Sequence, residues 1–345
     1  MSPETAQALQ THLGRFFAYL FQAILPFLQR QSPLYWPFVV STLVVAVLFW
    51  RLGKNGGAVR PSWREFRRRF LGRALWWHPS ARVDYRYYFV NAVVFPFVVG
   101  PALTTGAAIA GGLDDLLDPW IGAPPAGGAG WAATAAYTVV FFVAYDFGRF
   151  VAHSAQHDVP LLWEFHKTHH SAEVLTPLTA FRAHPIDLAV MAWGSALATG
   201  LVTLLFRRLA GTGVGFYEFL QMHVLLWFFG LFANLKHWQV WISYGRVLDR
   251  WFISPAHHQL HHSAEPQHFG RNRGFELAVW DRLYGTLALP REAEAFRMGL
   301  GDGTDGRWHR VWRLYLWPLG LAGQRLVGRG GPITADPAAL RRTAR

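Results

Sequence analysis

Histidine is the residue type whose spacing first points to chemistry. Between His153 and His170 the chain reads HSAQHDVPLLWEFHKTHH, five histidines in 18 residues. His153 and His157 are four apart; His166, His169 and His170 are spaced three and one. His258, His261 and His262 repeat that triplet far downstream. Residues three and four apart share a helix face, so each group can aim imidazoles at one centre. Imidazole nitrogen suits iron, zinc and copper. Eight such histidines exceed what one ion needs, and two ions with four or more ligands each is the natural count. Asp146, Asp158, Glu164 and Asp187 are carboxylates able to orient the ligands and offset charge.

A lone buried histidine is usually structural, and a histidine cluster beside a membrane can also sense pH. Three groups of metal-ligand spacing, with 13 of the chain's 16 histidines between 153 and 268, favour a metal centre. The chain has no cysteine, which excludes disulfides, thiolate sites, iron–sulfur clusters and a cysteine nucleophile. It has no GxSxG, and its triplets are not HExxH. A zinc hydrolase keeps three protein ligands and a water, which would leave most of these histidines without a role.

The elements that must position this centre are apolar. The chain is 52% hydrophobic and 16% charged, where soluble domains carry roughly a quarter charged residues. No basic run typical of a cleaved leader opens it. Residues 15–30 read as an interfacial helix interrupted by Pro26, and 34–50 as a membrane span. Residues 51–73 carry eight Lys or Arg against Glu65 alone, which marks a cytoplasmic loop. Together with the apolar runs, the net charge of +12 indicates a bilayer face rather than nucleic acid.

Residues 87–110 read as a second span, followed by an outer loop with Asp114, Asp115 and Asp118; residues 131–150 return inward. His153 then lies just past the membrane on the cytoplasmic side. Residues 186–206 and 214–235 form another apolar pair, but Arg207 and Arg208 lie on the wrong side if both cross, which a shallow hairpin would relieve. Small residues in 98–112 and 195–200 allow close helix packing or leave room for a substrate. Residues 308–327 read as a basic, Trp-rich surface helix before a frayed tail.

The order HxxxH, HxxHH, HxxHH resembles the fatty acid hydroxylase/sterol desaturase superfamily of integral-membrane histidine-box oxygenases. The surroundings resemble it too: Asp146 before the first box, LLWEFHKTHHS, TAFRAHPID, ISPAHHQLHHS, and the closing GRNRGFELAVWDRLYGT. The similarity covers roughly 134–290. Arg273 after Asn272 and Ser154 after His153 depart from the family's common residues.

The resemblance implies two iron ions held by His153, His157, His166, His169, His170, His258, His261 and His262, with His237 as a ninth ligand and His184 as a further candidate. It also implies partners around the ligands at Asp146, Asp158, Asn272 and Asp281. His257 reads as a neighbour, His223 as a buried hydrogen-bonded histidine, and His268 as peripheral.

The expected architecture is all-α. An integral membrane bundle of four to five transmembrane or hairpin helices carries a cytosolic helical cap with the dimetal site. Residues 1–130 would anchor, 131–295 form the hydroxylase/desaturase domain, and 296–345 the interfacial helix and tail. The expected activity is O2-dependent hydroxylation of a lipid C–H bond, with desaturation on the same scaffold as an alternative. A non-enzymatic metal-binding membrane protein is an alternative of another class. With no GxGxxG and no cysteine, electrons would come from an external ferredoxin or cytochrome b5 type reductase system. A bacterial-type inner membrane or an ER-like membrane fits this reading.

Overall fold

The structure is a computed structural model that describes residues 3–24, 28–30, 32–51, 62–290 and 296–329. The chain opens with α1 (Pro3–Ile24), α2 (Trp36–Arg51), α3 (Trp63–Phe70), α4 (Arg73–Trp76) and α5 (Pro79–Val98). It continues through α6 (Gly106–Ile121), α7 (Trp131–Asp158), α8 (Pro160–His170) and α9 (Pro185–Ala210). A short hairpin, β1 (Glu218–Phe219) against β2 (Met222–His223), precedes α10 (Val224–Lys236). Then come α11 (Pro255–His261), α12 (Val279–Tyr284) and α13 (Val311–Leu326).

This is the expected all-α membrane bundle. Helices α7 and α9 are long and apolar enough to cross a bilayer, and α5 with the segment 100–121 forms a pair bent by 46° that passes the same test jointly. Helices α2 and α10 are apolar but shorter.

Local chemistry sets the helix starts near the centre. Helices α5, α8, α9 and α11 each begin with a proline in the first turn: Pro79, Pro160, Pro185 and Pro255. Proline there gives up an N–H that has no intrahelical partner and presets a helical φ. Pro160 follows Val159 directly, so α8 turns off α7 with only Val159 between them. Helix α7 runs on past the apolar stretch and carries His153 and His157 on its last turns. Close approach of the long helices depends on glycine. A Cβ on Gly148 of α7 would stand 2.4 Å from the Gly194 carbonyl oxygen of α9, and one on Gly106 of α6 would stand 2.3 Å from Thr199 Oγ1. The small residues of 98–112 and 195–200 therefore serve packing where α6 meets α9.

Several expectations change. The span over 87–110 is instead broken between α5 and α6, at a short turn over Gly100–Ala102 that holds Pro101. Asp114, Asp115 and Asp118 belong to helix α6, not to a loop. They also account for Arg207 and Arg208: Arg207 pairs with Asp114 at 2.9 Å, and Arg208 with Asp114 at 2.7 Å and Asp118 at 2.6 Å. The arginines at the end of α9 are thus neutralised in place. Segment 214–235 is not one continuous helix: the chain returns from the far end of α9 to His237 through the β1–β2 hairpin and then α10, whose 13 residues span about 20 Å.

Part of the 51–73 stretch is helical. In α3, Ser62 accepts from the Glu65 N–H, Phe66 and Phe70 are buried against Trp50 and Trp238, and the arginines face outward. Lys54 and Arg60 lie outside the described residues, as do Pro26 and most of the expected tail. The 308–327 helix is more than a surface element. Leu314 of α13 is fully buried with Val83, Tyr87, Trp163 and Trp308, and Arg325 pairs with Glu164 of α8 at 2.7 Å.

Candidate metal centre

Nine histidines converge in two groups. His153, His157, His166, His170 and His261 form one; His169, His237, His258 and His262 form the other. Within each, one ring nitrogen per residue lies within 4.8 Å of all the others. The HxxHH spacing produces this division. On α8, His166 and His170 are one helical turn apart and enter the first group, while His169 turns to the second. On α11 the roles reverse: His258 and its turn-mate His262 enter the second group, while His261 reaches the first. Each triplet gives a pair to one group and a single imidazole to the other, so the groups interlock. His170 and His262 lie side by side across the division, with ring centroids 4.7 Å apart.

Backbone and carboxylate acceptors fix the ring tautomers. His153 Nδ1 donates to the Arg273 carbonyl at 2.7 Å, His261 Nδ1 to that of Arg271 at 2.8 Å and His169 Nδ1 to that of Arg182 at 3.2 Å. His166 Nδ1 meets the Asp187 carboxylate at 3.3 Å. A carbonyl only accepts, so those Nδ1 atoms carry the hydrogen and each Nε2 presents a lone pair inward.

His153 Nε2 lies 3.1 Å from His166 Nε2 and 3.3 Å from His157 Nε2. In the second group His258 Nε2 is 3.0 Å from His237 Nε2 and 3.2 Å from His262 Nε2. Facing lone pairs repel unless a cation sits among them. The Nε2 atoms of His170 and His261 are buried without a hydrogen-bond partner. Burial, reinforced by His166 beside each and for His261 by His169 as well, pushes His169 down to about 4 and His261 down to about 3; the other α8 and α11 members of the two groups with a resolved shift fall as well. Neutral imidazoles at neutral pH are what a divalent metal requires. The donor set fits two ions, one with five imidazoles available and one with four.

His184 joins neither group. Its Nδ1 accepts from the Ile186 N–H at the start of α9 and its Nε2 donates to the Tyr315 carbonyl at 3.1 Å, so both ring nitrogens are engaged elsewhere. His257 caps α11 through Ser254, His223 donates to the Thr138 carbonyl at 3.0 Å, and His268 meets Ser263.

Asp146, Asp158, Asn272 and Asp281, expected beside the ligands, act one step further out. They build the loop 271–277, whose carbonyls orient His153 and His261. Asp281 accepts from the Arg273 and Gly274 N–H groups at 2.7 Å each. Asp146 accepts from the N–H groups of Glu276 and Leu277 and from Trp280 Nε1 at 2.9–3.1 Å. Asp158 accepts from Arg273 and Tyr284 at 2.7 Å. Asn272 holds a left-handed φ of 53° while its amide bridges the His257 and Ala288 backbones. Gly274 has no room for a side chain: a Cβ would stand 2.8 Å from Asp281 Oδ2.

Of the carboxylates read from sequence, Asp187 alone touches a histidine of the two groups. Gln156 holds it in turn, donating to both its carbonyl and its carboxylate. Glu164 binds Lys167 and Arg325 instead. The buried pair of Arg182 and Asp84, 2.9 Å apart, was not legible as a partner of the centre. Arg182 also donates to Ser171 and the Thr168 carbonyl, and so ties 177–184 to α5 and α8 beneath His169. A cavity of about 360 Å³ opens onto both groups, with His153, His166, His169, His237 and His258 on its wall.

Residues 138–286, which include all nine histidines, match the family model for fatty acid hydroxylase. Among curated proteins, the chain is 31% identical to ornithine lipid hydroxylase OlsE of Rhizobium tropici over 47% of its own length and 45% of that protein. It is 30% identical to Delta(7)-sterol 5(6)-desaturase ERG3B of Gibberella zeae over 47% of its length and 44% of that protein. To alkylglycerol monooxygenase of Xenopus tropicalis it is 26% identical over 44% of its length and 30% of that protein. The matched region thus spans less than half of each of these relatives. No solved structure matches the chain. Residues 138–286, less than half of the chain, thus carry its similarity to the fatty acid hydroxylase family and to these lipid hydroxylases and sterol desaturases.

Proposed function

We propose that this protein is a membrane oxidoreductase that hydroxylates a lipid C–H bond with dioxygen, through two iron ions held by the nine histidines. The observation that carries the reading is the pair of interlocked imidazole groups, one of five and one of four, opening onto a cavity among membrane helices. Iron bound there would supply the redox chemistry that activates dioxygen, with two electrons from an external donor. Overall, one oxygen atom enters the C–H bond and the other leaves as water with two protons.

The chain's own residues bind, orient and exclude water. The carbonyls of Arg271, Arg273 and Arg182 and the Asp187 carboxylate lock the rings so that each Nε2 faces inward. On the wall away from the histidines, Leu188, Met191 and Ala192 of α9 offer an apolar surface for a hydrocarbon chain. Lys236 and Glu276, paired at 2.6 Å, and Arg149, over the Phe275 ring at 3.7 Å, supply the polar part of the cavity.

The lipid class follows the relatives, whose names are those of hydroxylases and monooxygenases of lipids. The donor would be a ferredoxin or cytochrome b5 type system. The histidines would face the cytoplasm, on the side of the arginine-rich α3. A second reading, desaturation, has the sterol desaturase likeness in its favour. Lipid mass spectrometry of cells with and without the protein tests both. Gain of one oxygen supports hydroxylation, loss of two hydrogens supports desaturation, and unchanged lipids contradict both.

A further inference from the structure

A second cavity is larger than the one at the histidines. A chamber of about 820 Å³ lies between α2, α4 and α5, with Asn234 of α10 also on its wall. Val39, Thr42 and Leu43 of α2 present one helix face to it. Opposite them, α5 presents Arg82, Tyr85, Arg86 and Phe89, again at spacings of three and four. The walls are aromatic and aliphatic, and no carboxylate lines them. Arg82 and Arg86 are exposed at the rim, and no described carboxylate pairs with either guanidinium. The neighbouring acid, Asp84, faces away and is consumed by Arg182.

The chamber adjoins the histidine cavity. Asn234 lines both, Leu34 lines the chamber, and Pro33 lines the histidine side. The Asn234 amide donates to the Pro33 carbonyl at 2.7 Å where the two spaces adjoin.

We propose that this chamber is a binding site for a single phospholipid of net negative charge, its tails inside and its anionic head group, uncompensated by a choline or amine cation, held by Arg82 and Arg86. Two guanidinium groups one turn apart can share one phosphate, and charge-assisted contacts of this kind are among the stronger hydrogen bonds. An apolar chamber with two convergent cations at its mouth selects a tail for burial and an anion for orientation. Adjoining the histidine cavity at Asn234, the chamber is then the holding site from which a chain reaches the histidines. That last role rests on the lipid-hydroxylase reading; occupancy of the chamber does not.

The test is native mass spectrometry of the full-length protein in neutral detergent, offered equal phosphatidylglycerol and phosphatidylcholine. The wild type retains one phosphatidylglycerol, favoured about tenfold over phosphatidylcholine, a preference of about 1.4 kcal/mol. Arg82→Gln with Arg86→Gln brings that ratio to near parity. Leu43→Trp, which fills the chamber, removes retention of both lipids. Arg64→Gln with Arg68→Gln, on the exposed face of α3, leaves the wild-type ratio. Thermal melts certify that each variant folds. The proposal is overturned if the Arg82/Arg86 variant keeps the preference, if the α3 variant loses it equally, or if Leu43→Trp retains lipid as the wild type does. Turnover is read separately: selective retention without hydroxylation would sink the enzymatic reading and leave the chamber assignment standing.

Discussion

His169 and His170 are adjacent, chemically identical and both packed among other histidines, yet their removal has different consequences. His169 belongs to the group of four imidazoles and His170 to the group of five. His169→Ala leaves three nitrogens in its group, whereas His170→Ala leaves four. Loss of a partner that merely orients a ligand already costs about 10–100-fold in metal affinity. Loss of an imidazole from the smaller group costs at least the upper figure, about 2.7 kcal/mol or more. In the larger group one donor can be spared, and the cost is about tenfold. The assay is iron per chain after dialysis against a graded chelator series, with circular dichroism to certify folding. Wild type holds two irons, His170→Ala retains two until stronger chelation, and His169→Ala falls to one. The interlocked division is refuted if both variants lose metal in parallel, or if His170→Ala is the more sensitive.

Asp187→Asn weakens the hydrogen bond that fixes His166, so iron affinity in the five-histidine group should fall about 10–100-fold with helix content unchanged; equilibrium chelator titration reads it. Asp84→Ala leaves the Arg182 guanidinium buried without its counter-charge and should cost about 3–5 kcal/mol, seen as a lower thermal midpoint. Gly148→Val places a branched side chain where a Cβ already stands 2.4 Å from the Gly194 carbonyl, so α7 and α9 must separate; thermal melting should show destabilisation and iron content should drop. Acid should destabilise the chelator-stripped protein for a stated reason. The unfolded chain's histidines protonate below about 6.5, while His169 and His261 stay neutral in the fold down to about 4 and about 3. The unfolded state therefore binds more protons in that window. Stability is full above about pH 6.5 and is lost progressively as pH falls towards 3, which melts across a pH series would register.

Much of the centre was legible because a helix converts sequence spacing into direction. HxxxH on α7 and the two HxxHH triplets announced imidazoles on shared faces. Which member of each triplet went to which group was not legible. It depends on how α8 and α11 face each other, and no local pattern encodes that. Asp146, Asp158, Asn272 and Asp281 were expected beside the ligands; they grip backbone N–H groups of residues 271–277 and the Ala288 N–H, or neighbouring side chains, instead. Sequence shows a carboxylate; it does not show whether an imidazole or a peptide N–H faces it. His184 looked like a donor because it sits among the boxes, and the helix start at Pro185 used one of its nitrogens instead. Asp84 was invisible because its partner Arg182 lies 98 residues away. Hydropathy found the apolar stretches but overextended them. It did not register that the turn over Gly100–Ala102 breaks one, or that the helix in 214–235 begins only at Val224.

The central claim is that the paired histidine groups direct one oxygen atom of dioxygen into a lipid. Its most direct test reconstitutes the iron-loaded protein with membrane lipid, a chemical or protein reductant and isotopically heavy dioxygen, and follows the lipids by mass spectrometry. The predicted result is a lipid product carrying one heavy oxygen atom, dependent on reductant and absent in His169→Ala. Recovery of every lipid unlabelled, from protein shown to hold two irons and to be supplied with electrons, would contradict it.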